Sequence, residues 1–100
     1  MELLYKQIQD GILGLAVGDA LGVPVEFLPR RKLRWSPVVE MRAYGTHNQP
    51  AGTWSDDTSM TLCTLKSLTK GVDYDDIMNR FCRWVDDGYM TAYGKLFDIG

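Results

Sequence analysis

The sequence predicts an all-α fold, and three observations support that prediction. Apolar residues recur every three or four positions over residues 3–21, 56–70 and 74–86, the spacing that places side chains on one face of a helix. All four prolines lie between the first two of these segments. The chain shows no convincing pair of alternating apolar and polar runs that would predict strands. One hundred residues suit a single domain with a modest core, so we expect one helical domain over residues 1–100.

The first predicted helix, residues 3–21, carries both an apolar stripe and a glycine stripe. Apolar residues recur every four positions from Leu4, and Gly14, Gly18 and Gly22 share another stripe. Each interior glycine costs about 1 kcal/mol of helix stability relative to alanine. The glycines favour tight packing against another backbone, and a helix end beside an active site is the alternative.

Residues 23–54 are predicted to be irregular, because the prolines interrupt any helical or strand-like pattern there. A connection of this length in a compact domain is usually functional or disordered. The run RRKLR, residues 30–34, favours a solvated surface patch over a phosphate site. His47 is the only histidine, and we expect it to be a surface residue rather than a ligand or a base.

The second and third predicted helices cover residues 56–70 and 74–86. Gly71 suits the end of the second helix, and Asp73 with Asp76 forms a pattern similar to a capping box at the start of the third. The predicted buried face of the third helix consists of five apolar residues: Ile77, Met78, Phe81, Trp84 and Val85. The tail from Tyr89 is a candidate start of a fourth helix.

Composition narrows the class of protein. The apolar fraction of 45% is ordinary for a globular chain, and the net charge of −2 argues against a nucleic-acid or anionic-membrane partner. We find no apolar run near the ~20 residues of a membrane span and no signal peptide, and therefore predict a cytoplasmic protein. Cys63 and Cys82 fit small core residues of a reduced chain better than a redox or metal role.

The stretch AGTWSDDTSM, residues 51–60, places two adjacent aspartates where the second helix begins. Ser55, Asp56 and Asp57 are explained in part as a helix cap with negative charge near the positive end of the helix dipole. A divalent cation is the alternative, because Mg²⁺ and Mn²⁺ prefer carboxylate, hydroxyl and water oxygens. Neighbouring helical residues point about 100° apart, so each carboxylate would serve one of two ions, or one would bridge them. Spacing alone leaves both interpretations open.

Two sequence blocks resemble the amino-terminal part of the ADP-ribosylglycohydrolases of the dinitrogenase reductase-activating type. The first is GILGLAVGDALGVPVEF, residues 11–27, and the second is PAGTWSDDTSM, residues 50–60. They occur in the family's order, and FCRWVDDGYMTAYGKLFDIG, residues 81–100, is similar to the family's next segment. The resemblance spans nearly the whole chain. It implies part of an orthogonal helical bundle with a binuclear Mg²⁺ or Mn²⁺ site.

The resemblance also implies roles for five side chains. The family's hydroxyl and carboxylate metal ligands correspond to Ser55, Asp56 and Asp57, with serine in place of the commoner threonine. Glu26 corresponds to a glutamate that acts as acid or base in some members, and Asp57 is the other candidate for handling the proton. Asp19 corresponds to a residue with a supporting or structural role. We expect the metal-ligand oxygens to point into one cleft, near Asp19 and Glu26.

The family hydrolyses the N- or O-glycosidic bond between ADP-ribose and an acceptor such as arginine or serine. The resemblance therefore implies ADP-ribose or an ADP-ribosylated protein as the substrate. Family members also take metal ligands from a D-x-D-[ST] motif near the carboxyl end, which residues 1–100 lack. Two six-coordinate ions need about a dozen ligand positions. We therefore expect an amino-terminal fragment that binds metal weakly and is inactive by itself.

Two other functions remain open from the sequence. One is a non-catalytic relative that binds ADP-ribose or has a structural role, and the other is a small helical interaction module whose aspartates only cap a helix. A second acidic motif further along the gene would favour the enzyme. The three helices carry apolar faces that further helices cover in long family members. We therefore expect self-association or a complementary carboxyl-terminal part.

Overall fold

The computed structural model describes residues 1–99, and its helical content confirms the all-α class. The α-helices are α1 (Glu2–Gly22), α2 (Arg30–Trp35), α3 (Asp56–Leu68) and α4 (Tyr74–Asp87). Two 3-10 turns, Val23–Val25 and Gly45–His47, complete the regular structure of these residues. The chain divides into two compact units: Met1–Thr53, and the residues from Trp54 onward. Each unit is described by itself.

Helix α1 has the predicted extent within one residue at each end. With the turn that follows, it forms a 24-residue segment, Glu2–Val25, that is long and apolar enough to cross a membrane by length and composition. The expectation that no segment reaches that length was therefore wrong, because small apolar residues and glycines extend the run beyond its most hydrophobic part. A single helix of this kind is weak evidence for a span, since core helices and signal sequences share these properties. The cytoplasmic location stays a prediction.

The segment between α1 and α3 is more ordered than the sequence indicated. The basic run predicted to be an irregular surface patch forms helix α2, which begins after Pro29 in an extended conformation. The Arg42 side chain donates hydrogen bonds to the carbonyl oxygens of Ser36 and Pro37, at 2.8 and 3.0 Å. Tyr44 and Gln49 form an isolated antiparallel bridge. Local hydrogen bonds thus replace the long structureless connection that the prolines suggested.

The second unit is a helical hairpin of α3 and α4. The Asp73 side chain caps α4 as predicted, because its Oδ1 accepts a hydrogen bond from the Asp76 backbone N–H at 3.1 Å. Gly88 ends α4 in the left-handed conformation, with φ of 74°. The predicted fourth helix was wrong, since residues 88–99 form turns and bends. Met90 and Gly94 have positive φ, which a continuing helix does not allow.

Burial along the hairpin differs from the prediction at several positions. Cys63 is fully buried and Trp84 is 4% exposed, so both lie in the core as expected. Met78 and Val85, expected to be buried, are 57% and 41% exposed. Cys82, also predicted to be in the core, is exposed. The apolar residues of α4 spread over a wider arc than one neighbouring helix covers, so only part of that arc is buried.

The hairpin also contains a polar network around the buried Arg80 that the sequence analysis did not identify. Arg80 is buried, and it donates to Asp76 Oδ2 at 2.8 Å and to the Tyr89 hydroxyl at 2.9 Å. Ser67 Oγ donates to the same carboxylate oxygen at 2.5 Å. The hydrogen bond from Arg80, and then that from Ser67, hold the pKa of Asp76 below its usual value. Arg83 lies over the Tyr89 ring, with 4.1 Å from its guanidinium carbon to the centroid.

Candidate functional site

The predicted ligands Ser55, Asp56 and Asp57 lie at the amino terminus of α3. Ser55 occupies the N-cap position with an extended backbone and is buried, while Asp56 and Asp57 form the first turn. Asp56 is half-buried, and its Oδ1 accepts a hydrogen bond from the Asp57 backbone N–H at 3.1 Å. Asp57 is exposed. The predicted position at a helix start is confirmed, and the two carboxylates differ in their access to solvent.

Ser55 and Asp56 line a small cleft in the second unit, with a cavity volume of about 10 Å³. That volume is close to the smallest space that holds one water molecule. Most other lining residues come from the segment after α4 and from the two tryptophans; the whole set is Trp54, Ser55, Asp56, Ser59, Trp84, Thr91, Lys95, Leu96, Phe97 and Asp98. The cleft thus combines three hydroxyl groups and two carboxylates with aromatic walls and one lysine.

The wall of the cleft is held in place by hydrogen bonds to Met90. Ser59 Oγ donates to the Met90 carbonyl oxygen at 2.9 Å, and Trp54 Nε1 donates to the same oxygen at 3.2 Å. Met90 has φ of 62°, a conformation that non-glycine residues adopt infrequently. The neighbouring Tyr89 is held by Arg80. The polar network around Arg80 therefore also anchors the segment that closes the cleft.

Asp98 is an acidic residue of the cleft to which the sequence analysis assigned no role. It lies in the FDIG end of the third block, to which no role was assigned. A carboxylate between aromatic and glycine residues at the end of a family-like block was the available signal. Only the fold shows that this position returns to the start of α3, more than 40 residues earlier in the chain.

The first unit contains a second arrangement of interest, around Glu26. The turn Val23–Val25 ends at Glu26, and we call residues 23–26 the Glu26 turn. The turn Gly45–His47 packs beside it, and we call residues 45–48 the His47 turn. Thr46 Oγ1 donates to the Glu26 carbonyl oxygen at 2.6 Å, and His47 Nε2 lies 2.9 Å from Glu26 Oε2. The expectation that His47 is a surface residue was wrong, since its side chain is only 13% exposed.

The five predicted site residues are therefore found in two units. Ser55 and Asp56 share the cleft, with Asp57 beside them in sequence. Asp19 and Glu26 lie in the first unit, where the Asp19 carbonyl oxygen accepts a hydrogen bond at the end of α1. A common cleft for all five side chains stays a prediction.

Comparison with known proteins gives a consistent result. Residues 2–100 match the family described as ADP-ribosylglycohydrolase. A protein of Pseudomonas putida (strain GB-1) named ADP-ribosylarginine hydrolase Tri1 is 42% identical over 101 residues, which cover 99% of this chain and 26% of the relative. A protein of the same name from Serratia proteamaculans (strain 568) is 40% identical over 91 residues, covering 89% of this chain and 24% of the relative.

A third relative is the ADP-ribosyl-[dinitrogen reductase] glycohydrolase of Rhodospirillum rubrum. It is 38% identical over 93 residues, which cover 82% of this chain and 29% of the relative. The chain thus spans about a quarter of the length of these curated relatives.

Proposed function

Since the chain belongs to the ADP-ribosylglycohydrolase family, we propose that its complete gene product hydrolyses the glycosidic bond between ADP-ribose and an acceptor on a protein. The observation that carries this proposal is the cleft at the start of α3, where a buried hydroxyl and a half-buried carboxylate lie in the family-matched segment. Arginine is the proposed acceptor, because two relatives at 42% and 40% identity are named ADP-ribosylarginine hydrolases.

The oxygen donors of the cleft fit a hard divalent cation. Hydroxyl and carboxylate oxygens are the ligands that Mg²⁺ and Mn²⁺ prefer, and Ser55 with Asp56 supplies both kinds in one small space. Asp57 would provide a further carboxylate from the solvent side of the same helical turn. When bound, the ion would supply electrostatic stabilisation of a developing negative charge and a more acidic water.

The protein's own side chains would position the substrate and move the proton. Glu26 and Asp57 are the proposed acid or base groups, because both are carboxylates with access to solvent. The apolar walls formed by Trp54 and Trp84 restrict water on one side of the cleft. Ser59 would act indirectly, by holding the Met90 carbonyl and with it the wall of the cleft.

An assay with a matched control tests the proposal. The complete gene product is incubated with ADP-ribosyl-arginine and ADP-ribosyl-serine peptides, in Mg²⁺ or Mn²⁺ and in EDTA. We expect release of ADP-ribose from the arginine peptide only with metal, and a loss of about 100-fold or more in Asp56→Asn. Asp75→Asn is the control, because Asp75 also lies in the first turn of a helix, α4, and is exposed.

The outcomes separate the candidate functions. Tight binding of ADP-ribose without turnover would indicate a non-catalytic relative. If the protein shows neither binding nor turnover, helix capping is the remaining role of the aspartates. For residues 1–100 alone, we expect calorimetry to show weak Mn²⁺ binding and the assay to show no turnover, because the family resemblance implies further metal ligands that these residues do not supply.

A further inference from the structure

We propose that His47 is a positioning residue for Glu26, which it holds through one carboxylate oxygen; this rests on the proposed role of Glu26 as acid or base. The contact that suggests it joins His47 Nε2 and Glu26 Oε2 at 2.9 Å, a hydrogen-bonding distance. The two residues are 21 positions apart in the chain, so the fold and not local sequence brings them together.

The exposed fractions of the two side chains indicate that His47 is held in place and that Glu26 is accessible to solvent. The His47 side chain is 13% exposed, whereas that of Glu26 is 38% exposed. The imidazole is therefore confined by its surroundings, while the carboxylate still reaches solvent. An exposed ion pair between two mobile side chains contributes little order. A confined imidazole instead restricts the rotamers of the carboxylate that it contacts.

The backbone around the pair is also held in place. Thr46 Oγ1 donates to the carbonyl oxygen of Glu26 at 2.6 Å and lies 3.4 Å from that of Pro24. Gly45 lies so close to Pro24 that a side chain there would meet the proline carbonyl. The Phe27 ring lies 6.0 Å from the His47 ring in an edge arrangement. The His47 turn and the Glu26 turn thus contact each other at several points besides the carboxylate.

The chemistry of the pair assigns the donor. An ionised carboxylate can only accept hydrogen bonds, so Nε2 carries the proton when Glu26 is ionised. The imidazole N–H then donates to Oε2 of Glu26, and Oε1 is the oxygen that takes or gives the proton of the reaction. A group that holds a base in one orientation contributes by keeping it near the productive geometry.

Three substitutions at the same position test this role. His47→Gln replaces the ring N–H by a side-chain amide N–H at about the same distance from the backbone as Nε2. His47→Asn places the amide N–H nearer to the backbone, and His47→Ala removes the donor. In the complete gene product, NMR couplings should show one dominant Glu26 rotamer in the wild type and in His47→Gln. The other two variants should show averaged couplings. Glu26→Gln should shift the Nε2 nitrogen resonance of His47.

Turnover provides the second measurement. In the complete gene product, we expect His47→Asn and His47→Ala to lower kcat about 10-fold with KM changed less than twofold, and His47→Gln to recover most of kcat. Identical Glu26 couplings in all four proteins, or a glutamine variant as impaired as alanine, would overturn the inference. Absence of turnover in the wild type would instead refute the proposed function, and the NMR couplings would still decide whether His47 positions Glu26.

Discussion

Replacing Gly45 with alanine should disturb the packing of the His47 turn against the Glu26 turn. Gly45 has φ of 52°, and an added Cβ would lie 2.8 Å from the Pro24 carbonyl carbon and 2.9 Å from its Cα. It would come closer still to the carbonyl oxygen, and backbone atoms cannot rotate away as a flexible side chain can. The two turns must therefore move apart to accept even one methyl group.

The expected cost has two parts. An L-residue in the left-handed region loses about 1 kcal/mol relative to glycine. Overpacking a close backbone contact adds about 1–3 kcal/mol. We therefore expect Gly45→Ala to lower the free energy of unfolding by about 2–4 kcal/mol, and to weaken the hydrogen bond from Thr46 to the Glu26 carbonyl.

Gly52→Ala is the matched control, because Gly52 has φ of 85° but no neighbouring atom within 4 Å of an added Cβ among the described residues. It should cost only the backbone part, about 1 kcal/mol. Urea unfolding of both variants, followed by circular dichroism, measures the difference. Equal losses of stability in the two variants would refute the close contact between Gly45 and Pro24.

Three further predictions concern acid stability, thiol reactivity and association. Because the folded pKa of Asp76 lies below the ordinary value of 3.8, its stabilising contribution is present above that pH and is lost as pH falls further. Thermal melts of Asp76→Asn should therefore depend less on pH below about 4 than those of the wild type or Asp75→Asn. Cys82 is exposed, whereas burial raises the pKa of the Cys63 thiol. An aromatic disulfide reagent should therefore modify one thiol in the native protein and two in denaturant. Equal reactivity of Cys63 and Cys82 in the native protein would contradict the burial of Cys63. Most apolar side chains of α1 are exposed, so we expect residues 1–100 to self-associate, and a compact monomer at high micromolar concentration in sedimentation would contradict that expectation.

The sequence by itself determined the helices α1, α3 and α4 and the position of the aspartates, but not helix α2. Periodicity placed α1, α3 and α4 within about two residues of their observed ends, because the apolar spacing of a helix is a local property of the chain. The Asp73 cap was also predictable, since a cap depends on residues three positions apart. The two family-like blocks identified the family that the comparison over residues 2–100 confirms.

Only the tertiary structure decided which distant residues meet. Asp98 reaches the cleft of Ser55 because the segment after α4 turns back, held by Met90 and Tyr89. His47 reaches Glu26 because two short turns pack together across 21 residues. Arg80 is buried because a hydroxyl and a carboxylate satisfy its charge, whereas composition alone assigns arginine to the surface. Such contacts depend on chain reversals between elements, and local periodicity contains no information about where those reversals bring side chains together.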